Sequence, residues 1–447
     1  MEEAGGKEAL DGGGAALAYA RRRHPVGTNP IRSETDMQSQ RTAATAATPA
    51  AKPRSHPFGH AMLAEWPLDP DILYLNHGTV GVTPRRVMAA QQAIQEEIER
   101  QPSRFLLREL TAIDMGARNP AMPRLRAAAE VVGAFVGTRG EDLAFVDNVT
   151  TGLNAVLRSL PFRSGDEILI TSYIYGATAN IARYVARERG ATVKSVEIPF
   201  PPRDAEEIVA AVEAGIGPRT RLVIVDHITA ETALVLPLAE IAARCHARGV
   251  PVLADAAHAP GAIALDIPAI GVDWYVANLH KWGWVPRSSG ILWAPLGRQG
   301  GLHPAVISWG LDQGFTMEFD LVGTRDPSAH LAAPAAIAFM RELGFDAVCA
   351  YNHALAWSAA RLLAARWGTP FTTPESMIGT MATVPLPERL GSTREDAALL
   401  RDALLFDDRI EIQLHATRGR LWVRISAQVY NELADYERLA EAVARRG

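Results

Sequence analysis

Cysteine is nearly missing from this chain. Its 447 residues include two, Cys245 and Cys349, too few for a disulfide framework or a thiolate zinc site, and no metal is expected. Both fall in segments with helical spacing, where a cysteine is ordinarily a small core residue. Positive charge is not in surplus either: the formal net charge is -5. That gives no field for nucleic acid or an anionic membrane surface, and neither is expected as a partner. An anionic ligand would need a local basic pocket. No apolar run is long enough to span a bilayer. The polar stretch after Arg21, Arg22 and Arg23 is no signal-peptide core, so a cytoplasmic protein is expected. A G-x-G-x-x-G turn is absent as well, which argues against a nicotinamide-binding sheet, and there is no internal repeat or heptad run.

What the chain does have is an ordinary globular composition, 48% hydrophobic and 21% charged. Residues 1–55 are rich in Ala, Gly, Thr, Pro and Arg and read as a flexible low-complexity tail; Met37 offers an internal start within it. From 56 to 330 short apolar runs alternate with helical spacing. "DLAFVDN", "DEILITS", "ATVKSVEIP", "TRLVIVDHI", "VPVLADAAH", "DWYVANLHK" and "GILWAP" read as strands. Segments such as "GLNAVLRSL", "TANIARYVARERG" and "LAEIAARCHARG" read as helices between them. This pattern predicts an α/β fold, a mostly parallel sheet with helices on both faces. Residues 331–447 form a smaller C-terminal α/β domain, with "RGRLWVRISAQVYN" as its clearest strand and "ELADYERLAEAVARR" as a closing helix.

Ligands in such sheets bind beyond the carboxyl ends of the strands, so polar residues there carry the chemistry. Asp255 directly follows the apolar run "VPVLA", where a carboxylate is costly unless paired, as a cationic ring nitrogen would pair it. Alone it could equally cap a helix. Lys281 follows another strand, beside His280, Trp282 and Trp284. Apolar surroundings lower a lysine's pKa and favour the nucleophilic free amine. Thr150, Thr151 and Gly152 open a helix after a strand, a place suited to a phosphate dianion, although a lone threonine there is an ordinary cap. Tyr175 stands at a further strand end, where its ring can stack on a flat ligand.

Seven segments in order, "NHGTVG", "TTGLNAVL", "YGAT", "DAAHAPGA", "NLHKW", "GTRDPSA" and "VRISAQVYN", resemble the class V aminotransferases. "NLHKW" and "GTRDPSA" are most similar to the isopenicillin N epimerase-like branch. The resemblance spans roughly residues 60–447 and implies the pyridoxal 5'-phosphate (PLP) transferase fold of type I. It implies Lys281 as the Schiff-base lysine and Asp255 as the partner of the ring nitrogen. His258 approaches the ring hydroxyl, Tyr175 stacks on the ring, and Thr150, Thr151 and His280 contact the phosphate. Thr324 supplies a phosphate contact to the neighbouring subunit, which implies a homodimer with shared active sites. Arg424 binds the α-carboxylate of an amino-acid substrate through its planar fork. Asn76 and His227 are further candidates for the substrate pocket.

One departure narrows the chemistry. Related cysteine desulfurases carry a nucleophilic cysteine shortly before the carboxylate-binding arginine, and "QLHATRGRLWVR" has none. Asn278 and Leu279 stand where many class V members have small residues, which leans toward the epimerase-like branch. The expected function is Cα chemistry on an amino acid by an epimerase or racemase. The alternatives are a C–S lyase acting by β-elimination, an aminotransferase and, outside enzymes, a binding protein that kept the fold.

Overall fold

The computed structural model describes residues 58–111 and 122–446; the tail read at 1–55 lies outside the described residues. The larger sheet has seven strands: β2 (Leu143–Val146), β3 (Glu167–Thr171), β4 (Thr192–Val196), β5 (Thr220–Asp226), β6 (Val252–Asp255), β7 (Trp274–Asn278) and β8 (Gly290–Trp293). Their spatial order is β2-β8-β7-β6-β5-β3-β4. β8 runs antiparallel to both neighbours, and the other pairings are parallel.

Side-chain alternation sorts each central strand between two cores. Val223 and Val225 of β5, Val252 and Ala254 of β6, and Tyr275 and Ala277 of β7 join one buried cluster. Leu222 and Ile224, Leu253, and Trp274 and Val276 join the other. Burial on both faces is why these strands read as unbroken apolar runs rather than alternating ones. The second cluster is closed by the helices Val149–Ser159 and Gly176–Arg189, so residues of that parity at the strand ends face the starts of these helices.

The C-terminal part has an antiparallel sheet, ordered β11 (Gln413–Thr417), β12 (Arg420–Ser426), β9 (Met381–Pro385). The helices Phe345–Trp367, Arg394–Phe406 and Leu433–Ala444 share a core with it. Val423 and Ile425 point into that core, which turns Arg424 to the opposite face. The earliest described strand, β1 (Leu73–Tyr74), pairs in parallel with β10 (Ile410–Glu411). The segment entering the site at residue 76 is thereby tied to the C-terminal part of the chain.

No helix among the described residues is long and apolar enough to cross a membrane. Cys245 and Cys349 lie in the helices Leu238–Ala247 and Phe345–Trp367, and burial pushes both thiols up to about 12, so neither is an available thiolate.

Candidate functional site

The carboxyl ends of β5, β6 and β7 are Asp226, Asp255 and Asn278. All three share the parity of the second cluster. Beyond them opens a cavity of about 270 Å³, lined by these residues and by Lys281, His258, His280, Thr150, Tyr175 and Arg287, among others.

Lys281 is presented by a tightly held segment. Trp282 and Trp284 on either side of Gly283 are fully buried. At Gly81, with φ of 69°, a side chain would collide with the His280 carbonyl and the Lys281 backbone, so glycine lets the two loops touch. His77, in the same loop, bonds the Lys281 carbonyl through Nε2 at 3.0 Å. The amine lies 3.2 Å from Nε2 of His258. The protons in this group can be assigned from chemistry alone. The Trp282 indole N–H can only donate, so His258 Nδ1, 3.4 Å away, is the acceptor. Neutral His258 then carries its proton on Nε2 and donates to Lys281 Nζ when the lysine is the free amine. Burial, followed by the field of Arg424, lowers the lysine pKa to about 8, against the opposing pull of Asp255 and Asp226. Burial keeps His258 neutral by pushing it well below the usual imidazole range.

Asp255 accepts from the Thr178 hydroxyl at 2.7 Å and from the Ala257 N–H at 3.2 Å. It is fully buried, and burial raises its pKa while these donors and Lys281 oppose the rise. Its register partner on β5 is Asp226, also buried, with Oδ2 lacking any partner. Neighbouring strands run about 5 Å apart. At that spacing two unit charges in an effective dielectric of about 20 repel by roughly 3 kcal/mol, so ionising both carboxyls is costly.

At the other end of the cavity Asn148 caps the helix Val149–Ser159, accepting the Thr151 N–H at 3.0 Å. The Val149 N–H goes to Asn278 Oδ1 at 3.0 Å. The Thr150 N–H has no partner among the described residues, and Thr150 alone of the two threonines lines the cavity. Thr151 lines a separate small hollow with Asp147 and Arg325, because the cap consumes its N–H and its neighbour takes the inward position. His280 donates from Nδ1 to the Ser289 carbonyl at 3.0 Å. Its Nε2 can therefore give a hydrogen bond to a phosphate only as the imidazolium. Burial holds His280 down to about 4, a tendency a dianion beside it would reverse.

Arg424 is buried with neutral acceptors only: the Ala230 carbonyl at 2.5 Å, the Thr79 hydroxyl at 2.6 Å and Asn76 Oδ1 at 3.3 Å. Its Nε has no partner, and burial lowers its pKa to about 10. Thr79 and Ala230 line the cavity, so the guanidinium stands directly behind its wall. Asn76 also donates to Glu411 at 2.8 Å, and it is thereby fixed beside the arginine.

Not every candidate reaches this place. His227 has the opposite strand parity to Asp226. Its ring bonds the Tyr275 hydroxyl at 2.8 Å on the far face, and it is not part of the cavity lining. Thr324 lies exposed on a turn away from the cavity. Tyr175, 49% exposed, stands at the mouth. Asp226, Asn148 and Arg287 line the cavity without being candidates from sequence; Asp226 enters through its pairing with Asp255, a register that local sequence does not carry. The features together fit PLP: a free amine for an aldehyde, a buried carboxyl for a ring nitrogen, an unused helix N–H for a phosphate, and a buried arginine lacking an anion.

A family model described as aminotransferase class-V matches residues 74–403. A probable chloroplastic L-cysteine desulfhydrase of Arabidopsis thaliana is 34% identical over 405 residues, covering 84% of this chain and 83% of that protein. The isopenicillin N epimerase of Streptomyces clavuligerus is 34% identical over 394 residues, covering 84% of this chain and 95% of the epimerase. Among solved structures, a mutant of C-DES with glycine covalently linked to its PLP cofactor superposes with a TM-score of 0.70 at 22% identity, over 89% of this chain and all of the other. At that identity the likeness speaks for the fold, which is the expected one.

Proposed function

Because this chain belongs to the class V aminotransferase family and is a PLP-dependent enzyme, we propose that it works at the Cα of an amino-acid substrate as an epimerase or racemase, with Lys281 anchoring the cofactor. When bound, PLP supplies an aldehyde that condenses with amines and a ring that accepts the electron pair left at Cα. The chain's own groups do the rest. Lys281 Nζ holds the cofactor and then moves the Cα proton. Asp255 keeps a proton on the ring nitrogen. The Thr150 N–H and hydroxyl hold the phosphate at the helix start, where the backbone dipole favours an anion, with His280 beside them. His258, in the cavity lining, would approach the ring hydroxyl, and Tyr175, at the mouth, would stack on the ring. Arg424 receives the α-carboxylate in a dry setting, where a forked, charge-assisted bond is strongest, with Asn76 positioning it.

The observation that carries this reading is that Lys281, Asp255 and Arg424 meet around one cavity, and none forms an ion pair with another described residue. A buried guanidinium and a buried carboxyl that lack a charged partner await an ionic ligand. The enzyme is read as a cytoplasmic homodimer whose Thr324 reaches the partner's phosphate site, in keeping with that residue's exposure.

A β-eliminating C–S lyase is the second reading, favoured by the similarity to plant L-cysteine desulfhydrases. Incubation of candidate amino acids in deuterated solvent separates the two. An epimerase places deuterium at Cα and interconverts the enantiomers without releasing a keto acid. Stoichiometric pyruvate with a sulfur product sinks that reading in favour of the lyase.

A further inference from the structure

We infer that Asp226 is a positioning residue held as a neutral carboxylic acid beside ionised Asp255, so that the pair carries one negative charge. The two carboxyls occupy register-matched positions at the ends of adjacent parallel strands. Both are buried and both line the same cavity. Their surroundings differ in kind. Asp255 has a donor on each oxygen, the Thr178 hydroxyl and the Ala257 N–H, which is the setting of a carboxylate. Around Asp226 the Tyr175 main chain and its own N–H only partly oppose the rise in its pKa, and its Oδ2 has no partner among the described residues. A buried carboxylate oxygen with nothing donating to it is costly, and a proton on it removes the charge.

Charge counting leads to the same assignment. The groups facing Asp226 are Asp255 from β6, Lys281 from the segment after β7, the Tyr175 main chain from the helix start after β3 and, across the cavity, His258 and Arg424. His258 is neutral, and Arg424 is turned to the Thr79 and Ala230 wall. Arg287, also in the lining, bonds the Gly81 carbonyl at 2.8 Å, so the cation facing the two carboxyls is the Lys281 ammonium or, with cofactor bound, a protonated ring nitrogen. Burial first, and the Asp255 charge second, raise the Asp226 pKa well above the usual carboxylate range. The consequence is that Asp255 alone balances the ring nitrogen, with neutral Asp226 packed beside it.

The sign for stability follows directly. A carboxyl that keeps its proton in the folded state but loses it on unfolding, at about pH 4, makes the folded protein less stable as pH rises above that value. Asp226→Asn removes this loss. The full-length variant, with cofactor and after its removal, should melt above the parent by a margin that widens steadily from about pH 4 to pH 8. Infrared spectra of protein carrying ¹³C-carboxyl aspartate should show a protonated aspartate band at pH 7.5 that disappears in Asp226→Asn, or in Asp226→Ser if the asparagine variant does not fold. The absorbance of the bound cofactor should persist in Asp226→Asn, with the cofactor Kd within about threefold of the parent, because the amide is neutral as well. A melting difference that does not change with pH, or a parent protein without a protonated aspartate band, overturns the inference. These readouts do not depend on which reaction the enzyme performs.

Discussion

His77 holds the backbone of Lys281 from below: its Nε2 donates to the Lys281 carbonyl at 3.0 Å. The carbonyl can only accept, so Nε2 carries the proton and Nδ1 takes the hydroxyl proton of Tyr430 at 2.8 Å. Burial lowers His77 to about 4, so this relay stays neutral through the physiological range. The imidazole also packs against Trp282, centroids 4.9 Å apart. The lysine that must meet the cofactor is thus oriented by a side chain some two hundred positions away.

Replacing His77 by alanine strands two polar groups in the core, the Lys281 carbonyl and the Tyr430 hydroxyl, each at a cost of about 1–3 kcal/mol. Denaturant unfolding of His77→Ala should show a loss of roughly 2–5 kcal/mol. Among molecules that remain folded, turnover should fall more than substrate affinity, because the lysine loses its fixed direction. An unchanged kcat with a raised KM would assign His77 to substrate binding instead.

The depressed pKa of Lys281 sets the pH at which the cofactor can be captured. Only the free amine attacks an aldehyde, and the ammonium does not. With its pKa near 8 rather than 10.5, the rate of cofactor capture by stripped protein should rise with pH and reach half its plateau near pH 8, followed by stopped-flow absorbance. A midpoint above pH 10 would mean that burial does not govern this amine. Lys281→Ala should abolish both the covalent link and turnover.

Arg424→Lys keeps the charge but not the planar fork. Losing one charge-assisted hydrogen bond costs about 1.5–3 kcal/mol, which corresponds to a rise in KM of roughly 10- to 100-fold. The cofactor spectrum should stay as in the parent, since the cofactor's proposed contacts lie elsewhere. A variant with unaltered KM would remove Arg424 from substrate binding.

The segment following β8 leaves Val306, Ile307, Trp309 and Leu311 exposed, Trp309 at 80%. Apolar groups clustered in this way on a surface mark an interface more often than free surface. Sedimentation of the parent should give a dimer, and Trp309→Asp should shift it toward monomer. A parent that sediments as a monomer at micromolar concentration would count against the shared-site reading of Thr324.

Lys281 and Asp255 could be singled out from sequence because their signals are local: an apolar strand, then a costly polar group, then a helix or turn. Thr150 and Thr151 were inseparable on that basis, since both follow β2 at a helix start. The Asn148 cap, which takes the Thr151 N–H, decides which of them faces the cavity. The pair Asp226 and His227 was read the other way round, with the histidine chosen. Adjacent residues on a strand point to opposite faces, so only one could enter the site, and the choice rests on the pairing of β5 with β6.

The order of apolar runs and helical spacings was enough to determine an α/β sheet with helices on both faces, and the seven motifs its family and cofactor, because period and order are properties of the chain itself. Tertiary structure alone decided the register that sets Asp226 against Asp255. It also made the contact that joins His77 to the Lys281 carbonyl, and the turn of β12 that brings Arg424 to Asn76 and Thr79. Each of these joins residues far apart in sequence, and their meeting depends on how whole elements pack rather than on any local preference.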